Sequence, residues 1–321
     1  MKKILLLVLL IIIVFFTAFL YFLIFPKASE EKQTVVSPIP DFLSIINNKQ
    51  VSSLSLWLPV LSNFIAGKDT VPQVTAKAAL VFDIENKKVL YEKNPKQRLP
   101  IASLTKIMTA IVALENPKKD NRYIVRKEDL VGENSMGLTE GEVLTLEELL
   151  YGLILPSGND AAEVLAHNYK DGRKGFIKAM NNKSKALGIK DTNFTNPSGL
   201  EGDGEQYSTP YDLMVMTHYA LSNFPIFAKV VATYEQTIEG NQNHKAYYLV
   251  NETNLISSYP GVKGVKAGYT PEAGFCLVTY LDYKGNKIIA VILGSENRRQ
   301  EMKDLLDYSL QSIGTDPPPH I

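Results

Sequence analysis

The stretch LPIASLTKIMT, residues 99–109, combines the start of a helix with two side chains that can react together. Residues 104–114 carry apolar side chains at helical spacing, with one proline ahead of them and another behind. Prolines in these positions are typical of a bounded helix. Ser103 and Lys106 are three positions apart where this helix begins, so we expect them on one helical face, one above the other.

Ser103 and Lys106 have the chemistry of a nucleophile and its base. A serine hydroxyl is a poor nucleophile until a base takes its proton. A neutral lysine is such a base where burial or a second cation lowers its pKa. Ser103 would also lie at the positive end of the helix dipole, which favours developing negative charge. The spacing alone is common: residues 29–32 (SEEK) repeat it in a polar segment, and a solvated helix face is the alternative.

Two later stretches add polar side chains that suit the same chemistry. In SGN (157–159), between two predicted helices, Ser157 can relay a proton and Asn159 can bind a carbonyl or the lysine. Helix capping is the alternative for both. In KAG, Lys266 follows a strand signal and can supply positive charge, and Gly268 lets a ligand approach the backbone. An ordinary edge lysine before a turn is the alternative there.

Strand signals stand at both ends of residues 75–312, and helix signals lie between them. This order favours an α+β domain with one antiparallel sheet built from both termini. The strands are predicted at 78–83, 89–91, 245–249, 262–266, 274–280 and 288–293, and the helices at 104–114, 146–154, 161–169, 176–187, 209–221 and 302–310.

The N-terminus has a different composition from the rest of the chain. After two lysines, residues 4–25 are uncharged, and as a helix they would measure about 33 Å, enough to cross a bilayer. The lysines favour a cytoplasmic N-terminus. A cleaved signal peptide is the alternative, but its apolar region is usually shorter and ends at a small-residue site. We expect an uncleaved transmembrane anchor at 1–26, an extracytoplasmic spacer at 27–74 and a Pro-rich tail at 313–321.

Composition excludes several classes of protein. The chain has 321 residues, 45% of them apolar and 21% charged, which is ordinary for a globular protein. Basic and acidic residues number 34 each, so no nucleic-acid surface is indicated. The single cysteine, Cys276, excludes an internal disulfide and every multi-cysteine metal site, and it is expected in the core.

The order and context of the three motifs resemble one family closely. This family is the serine-type D-alanyl-D-alanine carboxypeptidases, also called low-molecular-mass penicillin-binding proteins. The resemblance covers residues 75–312 and implies a β-lactamase/penicillin-binding transpeptidase-like domain, in which a helical subdomain flanks the antiparallel sheet. The matching stretches are LPIASLTKIMT (99–109), LLYGLILPSGNDAA (149–162), FTNPSGL (194–200), GVKGVKAGYT (261–270) and LLDY (305–308).

By this resemblance, Ser103 attacks the carbonyl between the last two D-alanines of a peptidoglycan stem peptide, and Lys106 accepts its proton. An acyl-enzyme forms, D-alanine leaves, and water releases the shortened peptide. Ser157 passes the proton toward the leaving amine. Asn159 holds the acyl side chain or Lys106, and Lys266 keeps Lys106 neutral and attracts the terminal carboxylate. The implied activity is that of a D-alanyl-D-alanine carboxypeptidase, a hydrolase.

The resemblance also implies how the substrate is held and where the reaction occurs. The backbone N–H groups of Ser103 and Tyr269 form an oxyanion hole. β-Lactams inhibit by trapping Ser103 covalently, and no metal, organic cofactor or nucleic acid is involved. Many relatives carry a β-rich second domain and a C-terminal anchor, whereas here we expect the N-terminal span to hold an extracytoplasmic catalytic domain in the cell membrane. The implied substrate-binding residues are Lys266, Ala267, Gly268, Thr270 and Arg298, with Arg299 as the alternative arginine.

One departure from the family pattern concerns the substrate carboxylate. The family's lysine-threonine-glycine is Lys266-Ala267-Gly268 here. A hydrogen bond to a charged group contributes about 1.5–3 kcal/mol, so losing the hydroxyl would weaken the reaction roughly 10- to 150-fold. Thr270 and Arg298 are candidates to compensate.

Three alternatives to a carboxypeptidase follow from the same residues. D,D-endopeptidases share these motifs, because the same chemistry cuts D-alanyl cross-links. A class A β-lactamase needs a glutamate for its deacylating water, and Glu163 lies within a helix pattern instead. A non-catalytic penicillin-binding relative is suggested by Ala267, but the intact serine, lysine and asparagine positions argue against it.

Overall fold

The computed structural model describes residues 71–320, and a five-stranded antiparallel sheet lies at its centre. The strands in this part of the chain are β1 (Ala78–Asp83), β2 (Lys88–Lys93), β3 (Tyr123–Ile124), β4 (Val143–Leu144), β5 (Glu235–Ile238), β6 (Tyr247–Val250), β7 (Val262–Thr270), β8 (Gly274–Tyr283) and β9 (Asn286–Ser295).

The two ends of the described chain build this sheet together. Its strand order is β2-β1-β9-β8-β7, while β3–β4 and β5–β6 are separate two-stranded pairs. The N-terminal strand β1 pairs with the late strand β9 from Ala78↔Leu293 to Asp83↔Ile288. The predicted α+β class and the antiparallel sheet from both termini are confirmed.

The helices lie between and after the strands. They are α1 (Lys106–Glu115), α2 (Leu146–Ile154), α3 (Asn159–His167), α4 (Gly172–Ala186), α5 (Pro210–Asn223), α6 (Pro225–Val231) and α7 (Arg298–Ser312), with 3₁₀ turns at Ala102–Thr105, Lys127–Asp129 and Asn254–Ser257. The prediction found six of these helices and missed α6, which has seven residues. It also missed β3, β4 and β5, which have two to four residues each.

The sheet is covered by helices on both faces. On one face α7 packs its Leu305 and Leu306 against Leu277 of β8 and Ile292 of β9, and all four side chains are buried. Full burial of each such side chain contributes about 1.5–3 kcal/mol. On the other face α5 contacts β1 and β9. The sheet therefore separates α7 from the remaining helices.

Helix α1 runs through the middle of those remaining helices. It contacts α2, α3, α4 and α5, and every one of its residues except Glu115 is buried. A helix that is buried all round belongs to the centre of its layer. The chemistry predicted at its first turn is consequently held by a rigid element.

Several predictions fall on the ends of the chain. The anchor at 1–26 and nearly all of the spacer at 27–74 lie outside the described residues. Within residues 71–320, no helix combines the length and the apolar character that a membrane crossing requires. The tail is held against the domain, because Asn286 Nδ2 donates to Thr315 Oγ1 at 3.0 Å and the rings of His320 and Tyr259 stack at 4.7 Å.

Candidate active site

Ser103 lies in the 3₁₀ turn that leads into α1. The turn is entered through Ala102, whose φ of +48° is left-handed and uncommon outside glycine. The buried side chains of Ile101 and Leu104 hold the turn against the core, while Ser103 stays partly exposed. Strained backbone of this kind clusters at functional sites, because the surrounding structure has to enforce it.

Lys106 is the first residue of α1, and its side chain is completely buried. Its Nζ atom lies 2.9 Å from Ser103 Oγ, 2.7 Å from Asn159 Oδ1 and 2.7 Å from the Ser198 carbonyl oxygen. All three distances are those of normal hydrogen bonds. The structure thus brings together three residues predicted for the site and adds a fourth, Ser198.

The surroundings of Lys106 favour its neutral form. Burial holds the pKa of Lys106 well below its ordinary value, because a dry environment disfavours the charged amine, and the charge of Lys266 lowers it further. The carboxylates of Glu252, Asp160 and Glu133 act in the opposite direction. A neutral amine keeps a lone pair with which it can accept a proton.

Ser157 and Asn159 lie where the loop after α2 turns into α3. Ser157 has a φ of +61°, and both side chains are almost completely buried. Besides accepting from Lys106, the Asn159 amide donates from Nδ2 to the Gly132 carbonyl oxygen at 3.2 Å. Neither side chain caps α3, whose N-cap is Gly158, so the capping alternative is wrong for this helix.

Lys266 lies on β7, which is an edge strand of the sheet as predicted. The side chain is completely buried, and its Nζ donates to the carbonyl oxygen of the neighbouring Ala267 at 2.9 Å. Burial lowers the pKa of Lys266 to about 8, while Glu252 raises it and Arg298 lowers it. Below about this pH the site therefore holds a positive charge on β7.

Strand β7 passes close to the turn that carries Ser103. A Cβ atom at Gly268 would lie 3.1 Å from the Ser103 backbone nitrogen, which is tighter than a side chain normally tolerates. Tyr269 follows, with 55% of its surface exposed and its ring centroid 4.7 Å from that of Phe275. Peptide groups of the turn and of β7 are consequently next to each other. Two N–H groups that donate to one oxyanion require such an arrangement.

Ala267 faces away from the other KAG side chains. Its methyl group is 3% exposed and belongs to the hydrophobic cluster beneath α7, where Leu277 also lies. Alternation along the strand puts Lys266 and Gly268 on the opposite face. A threonine side chain at this position would therefore leave the strand on the face that α7 covers.

Two further residues predicted for substrate binding have partners of their own. Thr270 Oγ1 accepts the backbone N–H of Ala273 at 3.1 Å in the turn between β7 and β8. Arg298 begins α7, and its Nη1 donates to the Gly268 carbonyl oxygen at 2.6 Å. Arg299 is exposed, so Arg298 is the one of the two arginines that contacts β7.

Comparison with known proteins bears directly on this arrangement. A family model described as D-alanyl-D-alanine carboxypeptidase (peptidase S11) matches residues 65–297, which is more than half of the chain. The chain belongs to the D-alanyl-D-alanine carboxypeptidase family. This family is one of hydrolases, and the resemblance drawn from the motifs is confirmed.

Individual relatives of the carboxypeptidase family agree with the family match. D-alanyl-D-alanine carboxypeptidase DacF of Bacillus subtilis (strain 168) is 38% identical over 255 residues, 75% of this chain and 64% of that protein. The chain therefore spans slightly less than two thirds of the Bacillus protein. D-alanyl-D-alanine endopeptidase of Pseudomonas aeruginosa is 32% identical over 244 residues, 74% of this chain and 77% of that protein.

A solved structure supports the same fold. The crystal structure of the Streptomyces K15 DD-transpeptidase superposes with a TM-score of 0.71 at 32% sequence identity. The superposition covers 75% of this chain and 99% of that chain. The penicillin-binding type of α+β fold, with its antiparallel sheet and flanking helices, is thereby established for the described part of the chain.

Within this family site, one contact of Lys106 was missed from the sequence. Ser198 contributes its main-chain carbonyl oxygen. Every residue has such a carbonyl, so the pattern of residue types does not predict which one will contact Lys106. The family stretch FTNPSGL did contain a signal in Gly199, because a Cβ there would collide with the Ala102 carbonyl oxygen. Asn196 fixes the loop by accepting the N–H groups of Ser198 and Gly199 at 3.1 and 2.7 Å.

Two other residues considered in the sequence analysis take no part in the hydrogen bonds of Lys106. Glu163, considered as a deacylating glutamate, is bound by Arg173 at 2.7 and 3.1 Å on α3. Cys276 is a free, buried thiol whose pKa burial raises to about 11, as expected of a core residue.

Proposed function

We propose that the protein is a serine-type D-alanyl-D-alanine carboxypeptidase that acts through an acyl-enzyme on Ser103. The observation that carries this proposal is the position of the completely buried Lys106 Nζ, 2.9 Å from Ser103 Oγ. A nucleophile within hydrogen-bond reach of a base, with the base oriented by further groups, is the arrangement that activates serine.

The proton inventory of Lys106 supports its role as a base. A neutral amine has two N–H donors and one lone pair, whereas the charged form has three donors. Asn159 Oδ1 and the Ser198 carbonyl oxygen can only accept, so they take both N–H groups. The lone pair is then directed to the third neighbour, and the Ser103 hydroxyl donates its hydrogen to Lys106.

The reaction then follows from the remaining groups. Ser103 Oγ bonds to the carbonyl carbon while its proton moves to Lys106, and the N–H groups of Ser103 and Tyr269 stabilise the oxyanion. The C–N bond breaks as the proton passes through Ser157 to the amine of the departing D-alanine. Water, deprotonated by Lys106, cleaves the ester and restores the serine.

Charge on β7 supports recognition of a substrate that ends in a carboxylate. Lys266 carries a positive charge below about pH 8, and Arg298, at the start of α7, donates to the carbonyl oxygen of Gly268 on the same strand as Lys266. A peptidoglycan stem peptide ending in D-Ala-D-Ala presents a carboxylate there, and β-lactams present a similar one. Thr270 would line this end of the site, whereas the Ala267 methyl is packed beneath α7.

A D,D-endopeptidase is the second candidate function. The observation that favours it is the relative from Pseudomonas aeruginosa that is named an endopeptidase and shares 32% identity. Purified protein would be given a stem pentapeptide and a D-alanyl cross-linked dimer in parallel. Faster release of D-alanine from the pentapeptide supports the carboxypeptidase, and faster cleavage of the dimer supports the endopeptidase.

We also propose that residues 1–26 anchor the protein in the cell membrane, with the catalytic domain outside. The 22 uncharged residues that follow the two lysines support this topology. A chain without residues 1–26 should move from the membrane to the soluble fraction. Continued pelleting with membranes would assign anchoring to the spacer instead.

Labelling with a fluorescent penicillin tests the central proposal. The soluble protein should become covalently labelled, and Ser103→Ala should abolish the label without changing the thermal unfolding midpoint. D-alanine release from the pentapeptide then distinguishes an enzyme from a penicillin-binding relative without turnover. Correctly folded protein that takes no label would argue against the entire assignment.

A further inference from the structure

A loop that precedes β4 contacts the SGN turn, residues 157–159. Within residues 132–138 of this loop, the Gly132 carbonyl oxygen accepts from Asn159 Nδ2 at 3.2 Å. The Asn134 carbonyl oxygen accepts the Asn159 backbone N–H at 2.8 Å. Met136 packs so closely against Gly152 of α2 that a Cβ there would collide with its sulfur. The loop therefore supports the amide that bonds to Lys106.

Asp160, the residue after Asn159, holds this loop. Its Oδ2 accepts Ser135 Oγ–H at 2.5 Å and the N–H groups of Gly137 and Leu138, each at 3.1 Å. Its Oδ1 accepts the N–H groups of Met136 at 3.0 Å and of Ala161 at 2.8 Å. Four of these five donors belong to the loop, and only one belongs to α3.

The Asp160 carboxylate is buried, and burying a charge costs free energy unless the charge is hydrogen-bonded or paired. It is 1% exposed, and within residues 71–320 no cationic side chain forms an ion pair with it. A buried carboxylate without a cation depends on its hydrogen bonds for solvation. Several N–H groups of the loop donate hydrogen bonds to this carboxylate. These bonds hold the loop in place and also solvate the carboxylate.

The orientation of the Asn159 amide depends on the same loop. Its Nδ2 side meets the Gly132 carbonyl oxygen, which leaves the Oδ1 side toward Lys106 Nζ. If residues 132–138 moved away, the amide would lose the acceptor that distinguishes its two ends. Lys106 would then lose one of the two acceptors that direct its lone pair to Ser103.

We propose that Asp160 is a positioning residue for acylation: it clamps residues 132–138 and so presents the Asn159 oxygen to Lys106. This inference rests on the proposed function of Ser103 and Lys106. Asp160 itself forms no hydrogen bond with Ser103 or Lys106: its bonds go to the loop and to Ala161. A carboxylate that served only to cap α3 would need the Ala161 N–H and not the four donors from the loop.

The test is the pH profile of penicillin acylation in the full domain. Asp160→Asn keeps the shape but sets an NH₂ group against N–H donors, and we expect the plateau rate to fall about 10- to 100-fold, as small misplacements at active sites do. Ser135→Ala removes one loop donor and keeps the carboxylate, and it should give a smaller decrease of the same kind.

A matched control separates position from charge. The charges that act on Lys106 are those of Lys266, Glu252, Asp160 and Glu133. Glu133 belongs to the same loop, residues 132–138, and its side chain is exposed. Glu133→Gln removes this carboxylate. Loss of a negative charge lowers the pKa of Lys106, so this variant should shift the acid limb to lower pH and keep the plateau.

The outcomes distinguish the clamp from its alternatives. A plateau rate that falls in Asp160→Asn and stays unchanged in Glu133→Gln supports the positioning role. A lower unfolding temperature with a normal plateau would make Asp160 merely structural and overturn it. If Asp160→Asn fails to fold, a normal plateau in Ser135→Ala overturns it. Absence of acylation in the unaltered chain would overturn both this inference and the proposed function, whereas equal acylation of all variants would overturn this inference alone.

Discussion

The start of α1 and the edge strand β7 each place a completely buried lysine at the site, but they surround it differently. Lys106 has three fixed neighbours drawn from the 3₁₀ turn, the SGN loop and the loop at Ser198. Among residues 71–320, Lys266 Nζ has one hydrogen-bonded neighbour, the carbonyl of Ala267 beside it in its own strand. Burial lowers the pKa of both lysines.

This difference indicates two separate tasks for the same residue type. Around Lys106, the carbonyl acceptors account for both hydrogens of a neutral amine and leave its lone pair for Ser103. Around Lys266, residues 71–320 supply one hydrogen-bond acceptor, the Ala267 carbonyl oxygen, and the pKa near 8 leaves the ammonium protonated at neutral pH. The charge on β7 in turn helps to keep Lys106 neutral.

The largest effect should come from removing the base. Lys106→Met keeps the length and apolar stem of the side chain and deletes the amine. Because general-base catalysis contributes up to about 10⁴-fold, we expect acylation by penicillin to fall about 10³-fold. Lys178→Met, on the exposed surface of α4, is the control and should acylate normally. Near-normal acylation in Lys106→Met would remove Lys106 from the role of base.

Removing the second lysine should have a smaller effect with a distinct pH signature. Lys266→Met should slow acylation about 10- to 100-fold through the lost contact with the carboxylate. Since Lys266 lowers the pKa of Lys106, its loss raises that pKa, and the acid limb of the profile should move to higher pH. The unaltered protein should lose rate above about pH 8, where Lys266 loses its charge, and the variant should not.

Lys263→Met provides the control for this prediction. Lys263 lies on the same strand but is exposed, so its replacement should leave both limbs of the profile in place. An acid limb that moves to lower pH in Lys266→Met would contradict the electrostatic relation between the two lysines.

The substitution of the family's threonine can be tested in the opposite direction. Ala267→Thr should increase acylation about 10-fold, the lower end of the range for a hydrogen bond to a charged group. Because the methyl group of Ala267 is packed beneath α7, the larger side chain should also reduce stability by about 1–3 kcal/mol. Ala267→Val has the shape of threonine without the hydroxyl and should lose stability with no gain in rate. Equal rates in the two variants would show that Ala267 does not limit binding.

Most of the fold could be predicted from the sequence, because long helices and strands leave periodic patterns of apolar residues. The predicted bounds of β1 and α2 match the structure to the residue, at 78–83 and 146–154. Short pieces such as β3, with two residues, have no pattern of their own and form because tertiary neighbours pair them. The helix predicted at 104–114 begins at Lys106 in the structure, because left-handed Ala102 starts a 3₁₀ turn that includes residues 104 and 105.

The site was only partly visible in the sequence for a related reason. Side chains with chemistry, such as Lys106 and Asn159, can be recognised by type and spacing, and the structure brings them together. Their catalytic roles stay predictions. The carbonyl of Ser198 and the loop clamp of Asp160 are set by backbone positions that only folding creates. The burial of the Ala267 methyl likewise depends on α7, which follows it by about thirty residues in the sequence.

The smallest effect should come from Glu252, an exposed carboxylate whose charge acts on both lysines. Glu252→Gln keeps an oxygen that can accept the bond from Asn134 Nδ2, now 2.6 Å long, and deletes only the charge. Because Glu252 raises the pKa of Lys106 and of Lys266, its loss should move the acid and alkaline limbs of acylation together to lower pH, with an unchanged plateau. Lys266→Met moves one limb upward, so the two profiles differ in sign. Movement of a single limb in Glu252→Gln would mean that the carboxylate acts on only one lysine, and the paired electrostatic account of the site would fail.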